Sequence, residues 1–410
     1  MAKKEKPAVG LDIGSYKVAC VIAKPDDSSQ KLNVLGVGMT KARGVQKGAV
    51  IDLAGACDSI AEAVNKAEEQ AKQKIHSVFI NMPGSHVRGL NTRGTIAVTD
   101  KEHMISKLDI EKVLDDAKGL AMSFDRDIIQ STLQNFIVDG QLEVENPVGM
   151  FADKLEVDLH VISGQISFMN NIKKALRQAG FDLEGVVAGG YATSFSVLTE
   201  HQKDIGVILI DIGAATTEIA IFTDGIMRFF DVLPIGGDSL TESISKFCKI
   251  PPDQAQDIKE RYGTCGISVK EDEEIIVRNH PAEKTISRAK FCQLQEEKTK
   301  QLLGIIKKRL SSSHFADQAS SGIVIVGQTA LMDGLLELAE GILNFPVRLG
   351  EVKDVLGGPP ESMSLPYITA VGLAKYGIRQ RQQKTSAIIT GTNFITRFIA
   401  KARELYRDYF

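Results

Sequence analysis

Two stretches of this chain, "AVGLDIGSYKVACVIA" (residues 8–23) and "VILIDIGAATTEIAIF" (residues 207–222), share one design. Each is an apolar run ending in Asp-Ile-Gly, a few small or polar residues, and a second apolar run. Such a pattern reads as strand, tight turn, strand. Two copies far apart in one chain point to two similar half-structures. A carboxylate at a strand end beside a Gly turn stands next to outward-facing backbone N–H groups. Those groups cradle phosphate oxygens, and the carboxylate holds Mg²⁺ through its waters. One such hairpin alone is more often a plain structural turn. Two at matched positions favour a shared site that grips a polyphosphate from both sides.

The length of 410 residues exceeds one ordinary core and implies two or more domains. Apolar content of 43% and charged content of 25% are those of a soluble globular protein. A net charge of −3 argues against a general nucleic-acid binder. The cysteines (Cys20, Cys57, Cys248, Cys265, Cys292) are scattered, without CxxC or Cys/His spacing, so reduced thiols and no zinc site are expected. The basic start passes straight into Asp12, so no signal peptide is expected, and no apolar run is long enough to span a membrane. Charge is uneven. Residues 378–410 hold seven Lys/Arg against two Asp/Glu, a balance of +5, which leaves −8 on the rest. A basic tail on an acidic body suggests an anionic partner for the tail.

Along the chain, strands are expected near 31–40, 49–51 and 77–82, with a helix over 53–74 between them, an alternation typical of α/β layers. Residues 85–162 read as an inserted α+β module: strands at 94–98, 128–138 and 155–162 around a helix at 109–122. A helix at 166–180 follows, then a strand at 185–188, a helix at 191–201, the second hairpin and a strand at 225–232. Residues 239–315 are charged and mostly helical, broken at Pro251-Pro252. A strand at 322–326 leads into a Gly turn and a helix ending near Gly341. The polar, aperiodic segment 379–393 is expected to be a linker. The turn "IVIVGQTALMDG" (323–334) suits close backbone approach by a flat base. Walker A and GxGxxG patterns are both missing, which removes the main support for P-loop and Rossmann readings.

The order hairpin, hairpin, Gly turn resembles that of actin-like ATPases, and "DIKER" (257–261) resembles the adenosine-side helix of actin, implying Lys259 and Glu260 near the base. Within that superfamily the chain resembles the FtsA family of bacterial cell-division proteins. The resemblance is carried by "RGVQKGAVIDL" (43–53), "AGGYATSFSVL" running into "GVILIDIG", "VLPIGGDSLT" (232–241) and the insert itself. It covers nearly the whole chain. It implies an α/β, actin-like, two-lobed nucleotide-binding fold with an inserted subdomain and a C-terminal amphipathic helix. The subdomains would be 1A (1–84 and 163–195), 1C (85–162), 2A (196–238 and 316–378) and 2B (239–315), then the linker (379–393) and the terminal helix (394–410). It also implies ATP and Mg²⁺. The nucleotide would meet Asp12, Gly14, Ser15, Tyr16 and Lys17 from the first hairpin. From the second it would meet Asp211, Gly213, Ala214, Ala215 and Thr216. Gly236 and Gly237 would lie on the phosphates and Gly327, Gln328 and Met332 at the adenosine turn. Asp12 and Asp211 would hold Mg²⁺ through water.

Three departures from the family pattern bear on turnover. Ala214 and Ala215 replace glycines of the second hairpin, at roughly 1 kcal/mol each if a left-handed backbone is kept. Gln328 replaces a second glycine. Gly189-Gly190-Tyr191 offers neither a carboxylate nor an amide side chain to orient water. ATP binding is expected, with hydrolysis weak or absent.

At 100° per residue, Phe394, Ile395, Phe398, Ile399, Ala402, Leu405, Tyr406, Tyr409 and Phe410 fall within about 160° of arc. The rest of the circumference carries Arg397, Lys401, Arg403 and Arg407. A terminal helix docked on the protein's own core is the plainer alternative, but a wide apolar face rimmed by bases is the composition of an interfacial helix, which in FtsA is the membrane-targeting sequence. Partial burial of its large side chains yields roughly 8 kcal/mol, and ordering the segment costs a similar amount. Attraction of about 1 kcal/mol per base to anionic lipid is the margin. One tail is expected to bind weakly and a polymer of tails firmly.

The resemblance further implies a polymerising adaptor at the division site on the cytoplasmic face of the inner membrane. It would bind the acidic C-terminal peptide of FtsZ near Arg288 and Lys298, form actin-like filaments, and meet later division proteins through 85–162. A PilM-like type IV pilus adaptor and a small-molecule kinase of the same superfamily are the alternatives.

Overall fold

A computed structural model describes residues 6–389, apart from 27, 28, 30, 267, 268, 271, 280 and 281. The chain opens with the hairpin β1 (Ala8–Ile13) and β2 (Lys17–Pro25) and continues through β3 (Leu32–Lys41). Two short strands, β4 (Val45–Gln46) and β5 (Ala49–Val50), lead to helix α1 (Leu53–Ala71) and strand β6 (Ser77–Met82). Asp52 caps α1 by accepting from the N–H groups of Ala54 and Gly55, and the helix stops at Lys72 in the left-handed region. Its buried face, Ala56, Ile60, Ala63, Val64 and Ala67, follows the helical repeat and rests on β3.

The insert comprises β7 (Arg88–Ala97), α2 (Lys107–Ala121), β8 (Arg126–Val138), β9 (Leu142–Val144) and β10 (Lys154–Gln165). Its antiparallel sheet runs β7-β10-β8-β9. Helix α2 starts at a Ser106–Asp109 capping box and buries Val113, Leu114 and Ala117 with Phe136, Leu155 and Val157 of the sheet. The chain then returns through α3 (Ile166–Gln178), β11 (Asp182–Ala188) and α4 (Gly189–Val197).

Lobe II follows with α5 (Glu200–Ile205), β12 (Val207–Ile212), β13 (Thr217–Thr223) and β14 (Ile226–Leu233). Next come α6 (Gly237–Cys248), α7 (Pro252–Tyr262), the hairpin β15 (Glu274–Asn279) and β16 (Ala282–Ser287), and α8 (Arg288–Ser311). Strand β17 (Ile323–Val326), α9 (Leu335–Leu343) and β18 (Val347–Leu349) complete it. The chain finally crosses back with β19 (Val355–Gly357) and α10 (Ile368–Ile389).

The lobe I sheet runs β11-β6-β1-β2-β3-β19, and the lobe II sheet runs β14-β13-β12-β17-β18. In both, an antiparallel hairpin is flanked on its first strand by a parallel neighbour, β6 beside β1 and β17 beside β12. The sequence repeat is a repeat of structure. The register matches as well: Asp12 faces Ala19 and Asp211 faces Glu218, and each turn closes with a 2.9 Å bond, Gly14 N–H to Lys17 O and Gly213 N–H to Thr216 O.

Four expectations need correction. The helix read over 191–201 is two helices, because α4 ends at Val197 and Thr199 then caps α5. Glu274–Asn279 and Ala282–Ser287, inside the segment read as mostly helical, are antiparallel strands. The first strand of the insert starts at Arg88, not at Gly94, because β10 pairs with its whole length. The segment read as a linker from 379 is helical as far as Ile389, where Arg381 pins α10 to Glu184 through bonds of 2.6 Å from Nε and Nη2. The terminal amphipathic segment 394–410 lies outside the described residues.

Candidate functional site

The hairpin turns of the two lobes open onto one cleft. Asp12 is 7% exposed and fully engaged. Its Oδ1 accepts from Asn81 Nδ2 at 2.7 Å and its Oδ2 from Lys17 Nζ at 2.6 Å, while Asn81 Oδ1 accepts from Ile13 N–H at 2.8 Å. Asn81 is next to last in β6, the parallel neighbour of β1, so its amide locks the carboxylate and the end of β1 together.

Across the cleft, Asp211 is half-buried, and desolvation, reinforced by Asp12, lifts its carboxyl to about 6 against the pull of Lys17. Glu218, opposite Asp211 in the hairpin register, is 9% exposed, and its Oε2 accepts from Gly190 N–H at 2.5 Å. Burial, then Asp211, raises this carboxyl to about 8, although the Gly190 N–H opposes the rise. A Cβ on Gly189 would sit 2.7 Å from Glu218 Oε2, so the bare backbone of α4 admits the carboxylate. The start of α4 lacks an acid of its own, and the second hairpin supplies one.

Behind the second turn, Gly237 N–H donates to Gly213 O at 2.9 Å and Asp238 N–H to Ala214 O at 2.7 Å. A Cβ on Gly236 would lie 2.5 Å from Gly213 O. Gly236 therefore buttresses the turn and does not line the cleft, whereas Gly237 does. Lys259 Nζ reaches Gly237 O at 3.1 Å and Thr241 Oγ1 at 2.7 Å, and burial lowers it to about 8 against Asp238 and Glu260. Gln256 Nε2 donates to Glu260 Oε1 at 2.5 Å, and the Tyr16 phenol bonds both side chains from the other lobe. Burial, then Glu260, raises that phenol. The third piece closes the cleft at Gly327, whose φ of +88° and close approach to Ile212 O, 2.3 Å from a notional Cβ, admit only glycine.

Asp12, Gly14, Ser15, Tyr16, Lys17, Asp211, Gly213, Ala214, Ala215, Thr216, Gly237, Lys259, Glu260, Gly327 and Gln328 thus line one space. Met332 does not. Its thioether accepts from Gln295 Nε2 at 3.0 Å and Cys265 Sγ at 3.2 Å in the packing of lobe II. Neither Ala214 nor Ala215 has positive φ, so the backbone penalty expected of the two methyls does not arise. Arg288 begins α8 and pairs with Glu273 at 2.5 Å, while Lys298, further along that helix, bonds Gln301 at 3.2 Å. Asn81 and Glu218 escaped the sequence reading. The available signal was a large polar side chain in each mostly apolar strand.

Among the described residues no group of three or more His, Cys, Asp or Glu is placed to ligate a metal. Asp12 and Asp211, one from each lobe, suit a cation whose remaining ligands are water and phosphate oxygens.

Two lobes built on the same hairpin, meeting at an acidic cleft, define an actin-like fold. Solved structures agree on the fold. The PilM-PilN type IV pilus biogenesis complex aligns with TM-score 0.65 at 15% identity, covering 90% of this chain and 98% of that chain. MreB5 of Spiroplasma citri, solved bound to ADP, aligns with TM-score 0.55 at 14% identity, covering 94% and 99%. Among sequences, the family model described as Cell division protein FtsA matches residues 208–372, and the SHS2 domain inserted in FtsA matches 84–163. Cell division protein FtsA of Pseudomonas aeruginosa is 35% identical over 95% of this chain and 93% of its own length. That of Escherichia coli is 30% identical over 92% and 91%. The chain belongs to the FtsA family of cell-division proteins.

Proposed function

We propose that the chain binds MgATP between its lobes and acts in division as a polymerising adaptor. It would tether FtsZ to the cytoplasmic face of the inner membrane and recruit later division proteins. The observation that carries this reading is the convergence of Asp12 and Asp211, each at the end of a repeated hairpin, on one cleft. Mg²⁺ when bound would neutralise phosphate charge between these two carboxylates. Lys17, now paired with Asp12, would turn to a phosphate oxygen, while Asn81 keeps Asp12 in place. The turn N–H groups and Gly237 would cradle phosphates, and Gly327, Lys259 and Glu260 would border the base. Glu218, aligned on the start of α4, is the side chain available to orient water at the terminal phosphate, so slow hydrolysis is included in the proposal.

Membrane attachment rests on the apolar face and basic rim of residues 394–410, because no helix among the described residues is long and apolar enough to cross a membrane. An acidic FtsZ peptide at Arg288 would have to exchange with Glu273, which makes that contact dependent on salt. Calorimetric titration with MgATP tests the core of the reading. Asp12→Ala and Asp211→Ala should each weaken binding at least about tenfold. Unchanged affinity in both variants refutes the cleft assignment.

A further inference from the structure

The inserted module rests on both walls of the cleft. In lobe I, Ser15 of the first hairpin turn accepts from Gly48 N–H at 2.9 Å. Gly48 lies directly on Gly84, the start of the connector into the module: a Cβ on Gly48 would meet Gly84 Cα at 2.3 Å. With no side chain between them, movement at Ser15 passes to the connector. Arg126, 8% exposed, then spans both connectors, donating from Nη2 to His86 O at 2.7 Å and to Ser163 O at 2.8 Å. The mounting on lobe I is covalent and braced.

The contact with lobe II is lighter. Asn91 Nδ2 donates to Arg228 O at 3.2 Å, and Gly89 lies against Phe230 O, 2.3 Å from a notional Cβ. Arg228 falls at the register shift where β14 takes an extra residue relative to β13, which frees its carbonyl from the ladder. His160 Nδ1 and Gln134 Nε2 hold Asn91 Oδ1 at 2.5 and 3.2 Å. The Phe230 ring in turn lies 3.3 Å from a notional Cβ on Gly190, whose N–H serves Glu218 in the cleft.

A body bolted to one lobe and resting on the other cannot keep both contacts when the lobes change their angle. The weaker one gives. We propose that the 85–162 module is the moving output of the cleft: MgATP between the lobes seats it on β14 through Gly89 and Asn91, and an empty cleft lets that contact open. The proposal rests on the nucleotide reading. Contacts that the module makes in a polymer would then differ between the loaded and empty states.

Hydrogen exchange on the full chain, with and without MgATP, tests this when ATP binding is measured calorimetrically on the same samples. MgATP should slow exchange across residues 86–92 and 226–231 by about fivefold or more. Gly89→Ala and Asn91→Ala should bind ATP within about twofold of the parent yet lose the slowing. Gly89→Ala drives a methyl into Phe230 O, whereas Asn91→Ala adds no atoms and removes an amide that also partners His160 Nδ1 and Gln134 Nε2, so Asn91→Ala decides the matter if the former misfolds. ATP binding without slowing in the parent, or full slowing retained in Asn91→Ala, overturns the proposal. Failure of ATP to bind overturns the cleft reading and this proposal with it, and calorimetry tells the two failures apart.

Discussion

Glu218 is the residue whose chemistry depends most on its surroundings. Its carboxyl, raised by burial and by Asp211 to about 8, titrates far above an unfolded glutamate. The folded, nucleotide-free protein therefore binds a proton that the unfolded chain releases, and its stability falls as pH rises from about 4.5 through 8. Glu218→Gln keeps an acceptor for Gly190 N–H and removes that loss. Its melting temperature without nucleotide should exceed the parent's at pH 8, with the gap closing towards pH 5; a gap of equal size at both values speaks against a neutral buried acid. Asn81 works in the opposite sense. Asn81→Ala strips Asp12 Oδ1 and Ile13 N–H of partners at once, and unfolding by urea should show a loss of about 1–3 kcal/mol. Both residues were hidden from sequence reasoning for one reason. Each acts on a group distant in the chain, Asn81 on Asp12 and Ile13 and Glu218 on Gly190 of α4.

At the scale of elements, the insert was read with its main strands and helix in order, whereas α10 is a part that local patterns described poorly. His160 of β10 is buried neutral, and desolvation lowers its imidazole to about 4. An unfolded histidine takes up a proton near 6.5, so this residue's contribution is complete above that value and is lost as pH falls towards 4. The loss amounts to about 3 kcal/mol at full protonation. Protection factors in the insert, taken relative to the intrinsic exchange rate at each pH, should fall between pH 6.5 and 4.5, and His160→Gln should flatten that profile. In α10 the run "RQRQQK" lacks apolar periodicity, which is why it reads as a linker, yet these residues are all good helix formers. Arg381 holds the helix by a two-pronged pair to Glu184 and by bonds to the carbonyls of Lys6 and Pro7. Arg381→Ala should cost about 1–2 kcal/mol and fray α10 beyond Gly377, visible as lost helical signal.

For the whole molecule, the proposed function puts cleft, module and tail along one chain of cause. The cleft joins the lobes, the module touches both of them, and α10 carries the chain towards the segment 394–410. On the proposed function a single tail would balance burial against ordering, and membrane attachment would be a property of assemblies. Retention on anionic liposomes should rise steeply with protein concentration, fall with salt, and vanish on deletion of residues 394–410; retention by the truncated chain removes the anchor assigned to it.

The repeated hairpins, the inserted module and the place of Asp12 and Asp211 at strand ends were legible in the sequence, because each is written in the alternation of a few neighbouring residues. Tertiary structure alone decided that Glu218 serves the start of α4, that Met332 and Gly236 stand behind the cleft and not in it, and that helix continues where a linker was read. Those outcomes come from groups distant in the chain, Arg381 and Glu184 being 197 positions apart, and no local pattern records which distant partner a side chain will meet.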